Sequence, residues 1–145
     1  MKEQILNTFE TLGFQLEEME GFGYGFQYEG INYLYIPCED DEEFLDIAIP
    51  AIMEINEDNL NAALMLMDRI NSTVKYVKAT TSGDSIWLSY ERELLCDEDL
   101  EMLVSRMILH LEAAMNFYRK TMASIKNELE KEDEENPTDD TEEAA

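Results

Sequence analysis

Apolar positions in the first twelve residues recur at helical spacing: Ile5, Leu6, Phe9 and Leu12 share one face, and Gly13 stands where a helix would stop. A short amphipathic helix is predicted there. From Phe14 the period shortens toward two. Phe14 to Glu18 reads as a brief strand, and YGFQYEGINYLYIP as two strands joined at Glu29-Gly30, a weaker turn signal than Asn-Gly or Asp-Gly. After the polar loop CEDDEE, the run FLDIAIPAIMEI alternates Leu45, Ile47 and Ile49 before Pro50, which predicts a strand bent or edge-placed at the proline. NEDNLNAALMLMDRINSTVKY opens with capping residues and acids. It then sets Leu60, Ala63, Leu64, Met67 and Ile70 on one helical face, widened by Met65 and Leu66.

VKATTSGDSIWLSYEREL follows as a hairpin around Ser82-Gly83-Asp84, with Ile86, Leu88 and Tyr90 on one side and Trp87 on the other. A last helix starts near CDEDLE with Asp97 as its expected N-cap, and Leu100, Val104, Met107, Leu111, Met115, Tyr118, Met122 and Ile125 recur every three or four residues. At ~1.5 Å per residue it approaches roughly 40 Å, more than the width of a small domain. Its end either wraps over its own domain or docks on a second subunit. The order α-β-β-β-α-β-β-α, with a further short strand near Phe14, predicts an α+β fold: an antiparallel sheet packed against helices, one domain over residues 1–127. Charge repulsion and Pro137 predict an acidic disordered tail over residues 128–145.

Composition narrows the functional classes. The chain has 145 residues and 45% hydrophobic content, enough for one core without metal or disulfide staples, and its longest apolar runs fall short of the ~20 residues needed to cross a bilayer. MKEQILNTFETLGF has no continuous apolar stretch and does not read as a signal peptide, so a cytoplasmic location is expected. Cys38 and Cys96 lie far apart and outside any C-x-x-C spacing, and are expected to be ordinary reduced thiols. Ten basic residues against 34 acidic ones give a formal net charge of −24, of which the stretch from Glu128 supplies −9. Nucleic acid is thereby disfavoured as a ligand, since phosphate binding needs clustered Lys and Arg, and basic partners are favoured.

The stretch GFGYGFQYEG, Gly21 to Gly30, invites a phosphate-loop reading. Such a loop sits between a strand and a helix N-terminus and usually carries a base; this one leads into a strand, and no Lys or Arg occurs between Lys2 and Arg69. A hairpin turning at Glu29-Gly30 instead pairs Tyr28 with Ile31, Phe26 with Tyr33 and Tyr24 with Tyr35 on one face. The other face carries Gly25 opposite Leu34 and Gln27 opposite Asn32, and the glycines leave it bare enough for close backbone approach. The aromatic face is either core beneath helices or a binding surface. CEDDEE lacks the alternating spacing of a calcium loop, and no carboxylate pair is marked by an apolar setting. His110 lies between Leu109 and Leu111 with no nucleophile motif around it, and reads as a helix-surface or packing residue. No metal or cofactor is expected.

The stretch LNAALMLMDRINSTVKYVKATTSGDSIWLSYERELL, with the strands FQYEGINYLYIP and FLDIAIP before it and an amphipathic helix after it, resembles the YbjN-like family, whose fold is that of type III secretion chaperones. The likeness runs to about Ile125 and consists of diffuse hydrophobic patterns without a catalytic residue. It implies a small, acidic, non-enzymatic protein, often a homodimer, that binds another polypeptide on hydrophobic patches and sheet edges. The charged tail departs from that pattern, and no distinctive client-binding motif is present. Candidate partner or dimer contacts are Tyr24, Phe26, Tyr28, Tyr33, Tyr35, Trp87, Tyr118, Met122 and Ile125. The alternative function is an acidic inhibitor or immunity-type protein that blocks a basic site on its partner.

Overall fold

The computed structural model describes residues 1–135. Helix α1 spans Lys2–Thr11 and buries Ile5 and Phe9, as the spacing predicts. Gly13, at φ +93°, closes it: the Gly13 N–H donates to the Glu10 carbonyl and the Phe14 N–H to the Phe9 carbonyl. That double bond satisfies carbonyls the helix end would leave unpaired, and the Phe9 and Phe14 rings meet edge-on beneath it at 6.2 Å.

Strands β1 (Glu17–Met19), β2 (Gly23–Tyr28), β3 (Ile31–Tyr35) and β4 (Phe44–Glu54) come next, then helix α2 (Leu60–Thr73), strands β5 (Lys78–Ser82) and β6 (Ser85–Glu93), and helix α3 (Leu100–Glu135). The six strands form one sheet, β1-β2-β3-β4-β6-β5, with every neighbouring pair antiparallel. The β2–β3 register matches the predicted pairs, from Tyr28 with Ile31 to Tyr24 with Tyr35. Its turn has Glu29 at φ +50° and Gly30 at φ +75°. Two left-handed residues match the twist of the strands, which explains why the chain tolerates a glutamate there.

The α+β architecture is as predicted; of the two alternatives at Pro50 the bent strand is the one found, and three adjustments follow elsewhere. β4 bends at Pro50 through an irregularity between Ile49 and Met53, with Ala51 at φ +49°, yet it lies in the middle of the sheet rather than at an edge. The bulge absorbs the proline's missing donor locally. α2 turns Ala62, Ala63, Leu66 and Ile70 inward and leaves Leu60 and Leu64 exposed, because the small alanines let the helix sit close to its neighbours. Asp99, not Asp97, caps α3: its Oδ1 accepts the Met102 N–H at 3.2 Å, while Asp97 occupies a left-handed turn at φ +64°. Finally, α3 continues through residues 128–135, which were expected to be disordered. Arg69 and Glu128 pair at 2.8 Å and Leu129 packs against the core, so the helix retains contacts past Ile125. The rest of the expected tail lies outside the described residues.

All three helices pack on one face. There Phe26, Tyr33, Tyr35, Ile47, Ile49, Ile86 and Leu88 from the strands join Phe9, Leu66, Ile70, Val104, Met107, Leu111 and Ile125 in a single buried cluster. Burial of each large side chain contributes about 1.5–3 kcal/mol. Leu34 and Ala48, also buried, point the other way and lie outside that cluster.

Gly23 provides a test of how tightly the hairpin is held. It sits at φ +136°, and a Cβ there would be driven into the Tyr35 carbonyl oxygen. Gly23→Ala should lower stability by more than about 2 kcal/mol in urea denaturation. Gly83→Ala, at φ +59° with open space around it, should cost only about 1 kcal/mol.

Candidate functional site

Among the described residues, the opposite face of the sheet receives no helix. An open groove of about 910 Å³ runs along it, lined by Met19, Phe22, Gly25, Leu34, Pro50 and Trp87, with Glu17, Gln27 and Asn32 among its polar members. Strand alternation places these residues together: Glu17 stands opposite Gly25, Gly25 opposite Leu34, Leu34 opposite Ala48, and Gln27 opposite Asn32. Gly25 shapes the floor. A Cβ added there would lie 3.0 Å from the Met19 Sδ, so the missing side chain lets Met19 fold inward over the strand. Phe22, 61% exposed, stands at the rim in the turn from β1 to β2, and Gln27 Nε2 donates to Asn32 Oδ1 at 2.9 Å at the polar end. This is an apolar trough with few fixed polar groups.

Of the residues singled out from the sequence, Trp87 lines the groove; Phe26 and Tyr33 touch it only from the opposite face. Phe26, Tyr33, Tyr35 and Ile125 are fully enclosed by their own chain, which corrects their reading as contact residues. Phe9 is the cover: its ring lies 4.9 Å from Phe26 and 5.6 Å from Tyr35, while Phe26 and Tyr33 stack at 5.2 Å. Tyr24 and Tyr28 remain half-buried at the margins, with the Lys2 Nζ 5.4 Å from the Tyr24 ring centroid. The Tyr118 hydroxyl donates to the Ile52 carbonyl at 3.1 Å and Met122 packs half-buried, so the long helix wraps over its own domain. Burial pushes the Tyr35 hydroxyl up to about 12, with Tyr24 adding to it. Tyr33 is raised further by burial and then by Glu112, and its hydroxyl has no hydrogen-bond partner.

Met19, Phe22, Leu34 and Pro50 were not singled out from the sequence. The one available signal was the bare face at Gly23 and Gly25; Phe22 falls between glycines, outside any periodic pattern. His110 packs edge-on against Tyr76 at 5.0 Å and beside Tyr90 at 5.9 Å, a packing role. Among the described residues no group of His, Cys, Asp and Glu is arranged to hold a metal, and no helix is long and apolar enough to cross a membrane.

No protein-family model and no curated protein matches the sequence. Among solved structures, the crystal structure of YbjN from E. coli, provisionally described as a transcription regulator, matches with a TM-score of 0.60. The match covers 79% of this chain and 88% of that one at 11% identity. The chain has a YbjN-like fold. At that identity the likeness shows the fold alone, and it leaves the groove to be read from its own residues.

Asp46 lies on the same helix-free face, on the central strand opposite Glu91. Burial first and then Glu91 raise its pKa, against an opposing effect of Lys78, from the ordinary value to about 7, and one carboxylate oxygen is enclosed without a partner. A carboxyl whose folded pKa is raised favours the folded state while protonated. That contribution is complete below about 3.8 and is lost as pH rises to about 7. Asp46→Asn should therefore raise stability at pH 8 by about 1–2 kcal/mol after allowance for solvent screening, with little change at pH 4. Melting temperatures of both proteins at the two pH values provide the check.

Proposed function

We propose that this chain is a non-enzymatic protein-binding module, chaperone-like or regulatory in role, that holds a segment of another polypeptide in the groove on its helix-free face. One observation carries the reading: Phe22 and Met19, 61% and 46% exposed, stand at the rim of an apolar trough whose floor is formed by Gly25 and Leu34. Large apolar side chains held in water beside such a concavity mark interaction surfaces. Methionine at the rim adds adaptability to different occupants. The YbjN-like fold agrees with a regulatory or binding module and supplies no more than that.

A homodimer, which the family resemblance implies, is a separate proposal: Ile125 is buried within its own chain, while Tyr118 and Met122 are half-buried beside it. The alternative of an acidic inhibitor would act through acidic surface, such as the loop at residues 39–43, and would not need the groove. Met19→Lys with Phe22→Lys separates the two readings, because both side chains are exposed and their replacement leaves the core intact. Affinity capture on the native chain should retain a polypeptide, identified by mass spectrometry, that the double variant loses by at least about tenfold, or ~1.4 kcal/mol. Equal retention by a variant with an unchanged melting temperature would refute the groove as the binding site.

A further inference from the structure

One wall of the groove can change from apolar to polar without a change of sequence. Resting on the protein-binding reading above, we propose that Met19 is a redox switch for that site: oxidation of its thioether to the sulfoxide by a hydroperoxide releases the occupant, and reduction restores binding.

Met19 stands apart from the other methionines. Of the nine in the chain, Met1, Met19 and Met102 are exposed and the remainder are half-buried or enclosed. Only Met19 lines the groove. An accessible thioether reduces a hydroperoxide by two electrons. With hydrogen peroxide the sulfur attacks one oxygen, the O–O bond breaks and an S–O bond forms. The proton of the transferred hydroxyl passes to the departing hydroxide, which leaves as water. Two thiols of a reductase reverse the change, releasing the oxygen as water and becoming a disulfide.

Local geometry makes that one oxygen matter. The Met19 Sδ lies 3.0 Å from the point a Gly25 Cβ would occupy, so the thioether rests on bare backbone in the floor of the trough. Gly25 has no side-chain donor to offer a sulfoxide, and the N–H groups of β1 and β2 lie in the plane of their antiparallel ladder. The Gln27 amide, two residues along β2, is turned to Asn32. A sulfoxide oxygen is a strong acceptor, and enclosing it without a donor is unfavourable. The side chain then turns outward to water, and the trough loses both its apolar wall over Gly25 and the adaptable contact that suits a partner. Both cysteines are also exposed, but neither lines the groove; Cys38 borders a separate small pocket beside Lys2.

The test uses the full chain with isotope-labelled methionine methyl groups, and Nile red, a neutral apolar dye, as the probe. Before oxidation the dye should bind saturably and move the Met19 methyl signal. After hydrogen peroxide, with the Met19 sulfoxide verified by peptide mass, its affinity should fall by at least about tenfold at an unchanged melting temperature. Methionine sulfoxide reductase should restore it, whereas dithiothreitol alone, which reverses thiol oxidation, should not. Met19→Leu should abolish the difference between oxidised and untreated protein, and Met102→Leu should retain it. Resistance of Met19 to peroxide, unchanged affinity of its sulfoxide, an equal fall in Met19→Leu, or a fall that accompanies unfolding would overturn the switch and leave the groove in place. Failure of the dye to move the Met19 methyl signal in untreated protein would overturn the groove reading as well.

Discussion

Antiparallel strands send alternate side chains to opposite faces, and among the described residues every helix returns to the same one. Phe9 anchors that arrangement. Its ring rests on Phe26 and Tyr35, α1 is held by the Gly13 closure, and α3 crosses the same face with Val104, Met107 and Leu111. A sheet that places Tyr33, Ile47, Ile49, Ile86 and Leu88 beneath one layer of helices has its main core there. The opposite face is then free to be polar, shallow or functional. Here it is partly apolar and carries a groove, with Leu34 and Ala48 buried on it.

Much of this order was legible in the residues because local rules and global packing agree. The pairing of Tyr24 with Tyr35 and Phe26 with Tyr33 followed from a two-residue turn at Glu29-Gly30, and the inward set Leu45, Ile47 and Ile49 from strand alternation. Where the reading slipped, tertiary contacts overrode the local pattern. In α2 the expected inner face held Leu60 and Leu64 with Ala63 and Ile70; Ala63 and Ile70 are buried as expected, but close packing adds Ala62 and Leu66 and leaves Leu60 and Leu64 exposed. For α3, charge density after Glu128 argued for a stop, whereas Leu129 and the Arg69–Glu128 pair continue the helix along the body.

The groove was harder to see because its residues come from separate segments and share no motif. Met19 and Phe22 belong to β1 and its turn, Leu34 to β3, Pro50 to the bulge of β4, and Trp87 to β6. Pattern analysis assigns faces, and the aromatic face of the hairpin dominated that assignment. Its five rings proved to be mostly core, whereas the face that looked empty, with glycine opposite leucine, is the one left open. Absence of a side chain at Gly25 shapes that open face more than the aromatics on either side of it.

The 11% identity with a chain of the same fold gives these observations their weight. So low a value is sufficient to keep the fold because the fold needs only apolar alternation, a few left-handed glycines and helices of adequate length, all of which many sequences supply. A binding groove is more demanding. It needs a missing Cβ at Gly25, a flexible thioether at Met19 and a ring at Phe22 held in water at some cost to solubility. Asp46 adds to the same account: a partly enclosed carboxyl with an unpaired oxygen on the central strand is a local disadvantage that the helix-covered face avoids, apart from the Tyr33 hydroxyl. Unfavourable features gathered on one face, while the other is packed to exclude water, are consistent with the binding role proposed for the open face. Occupation by a partner would bury Phe22 and Met19 there.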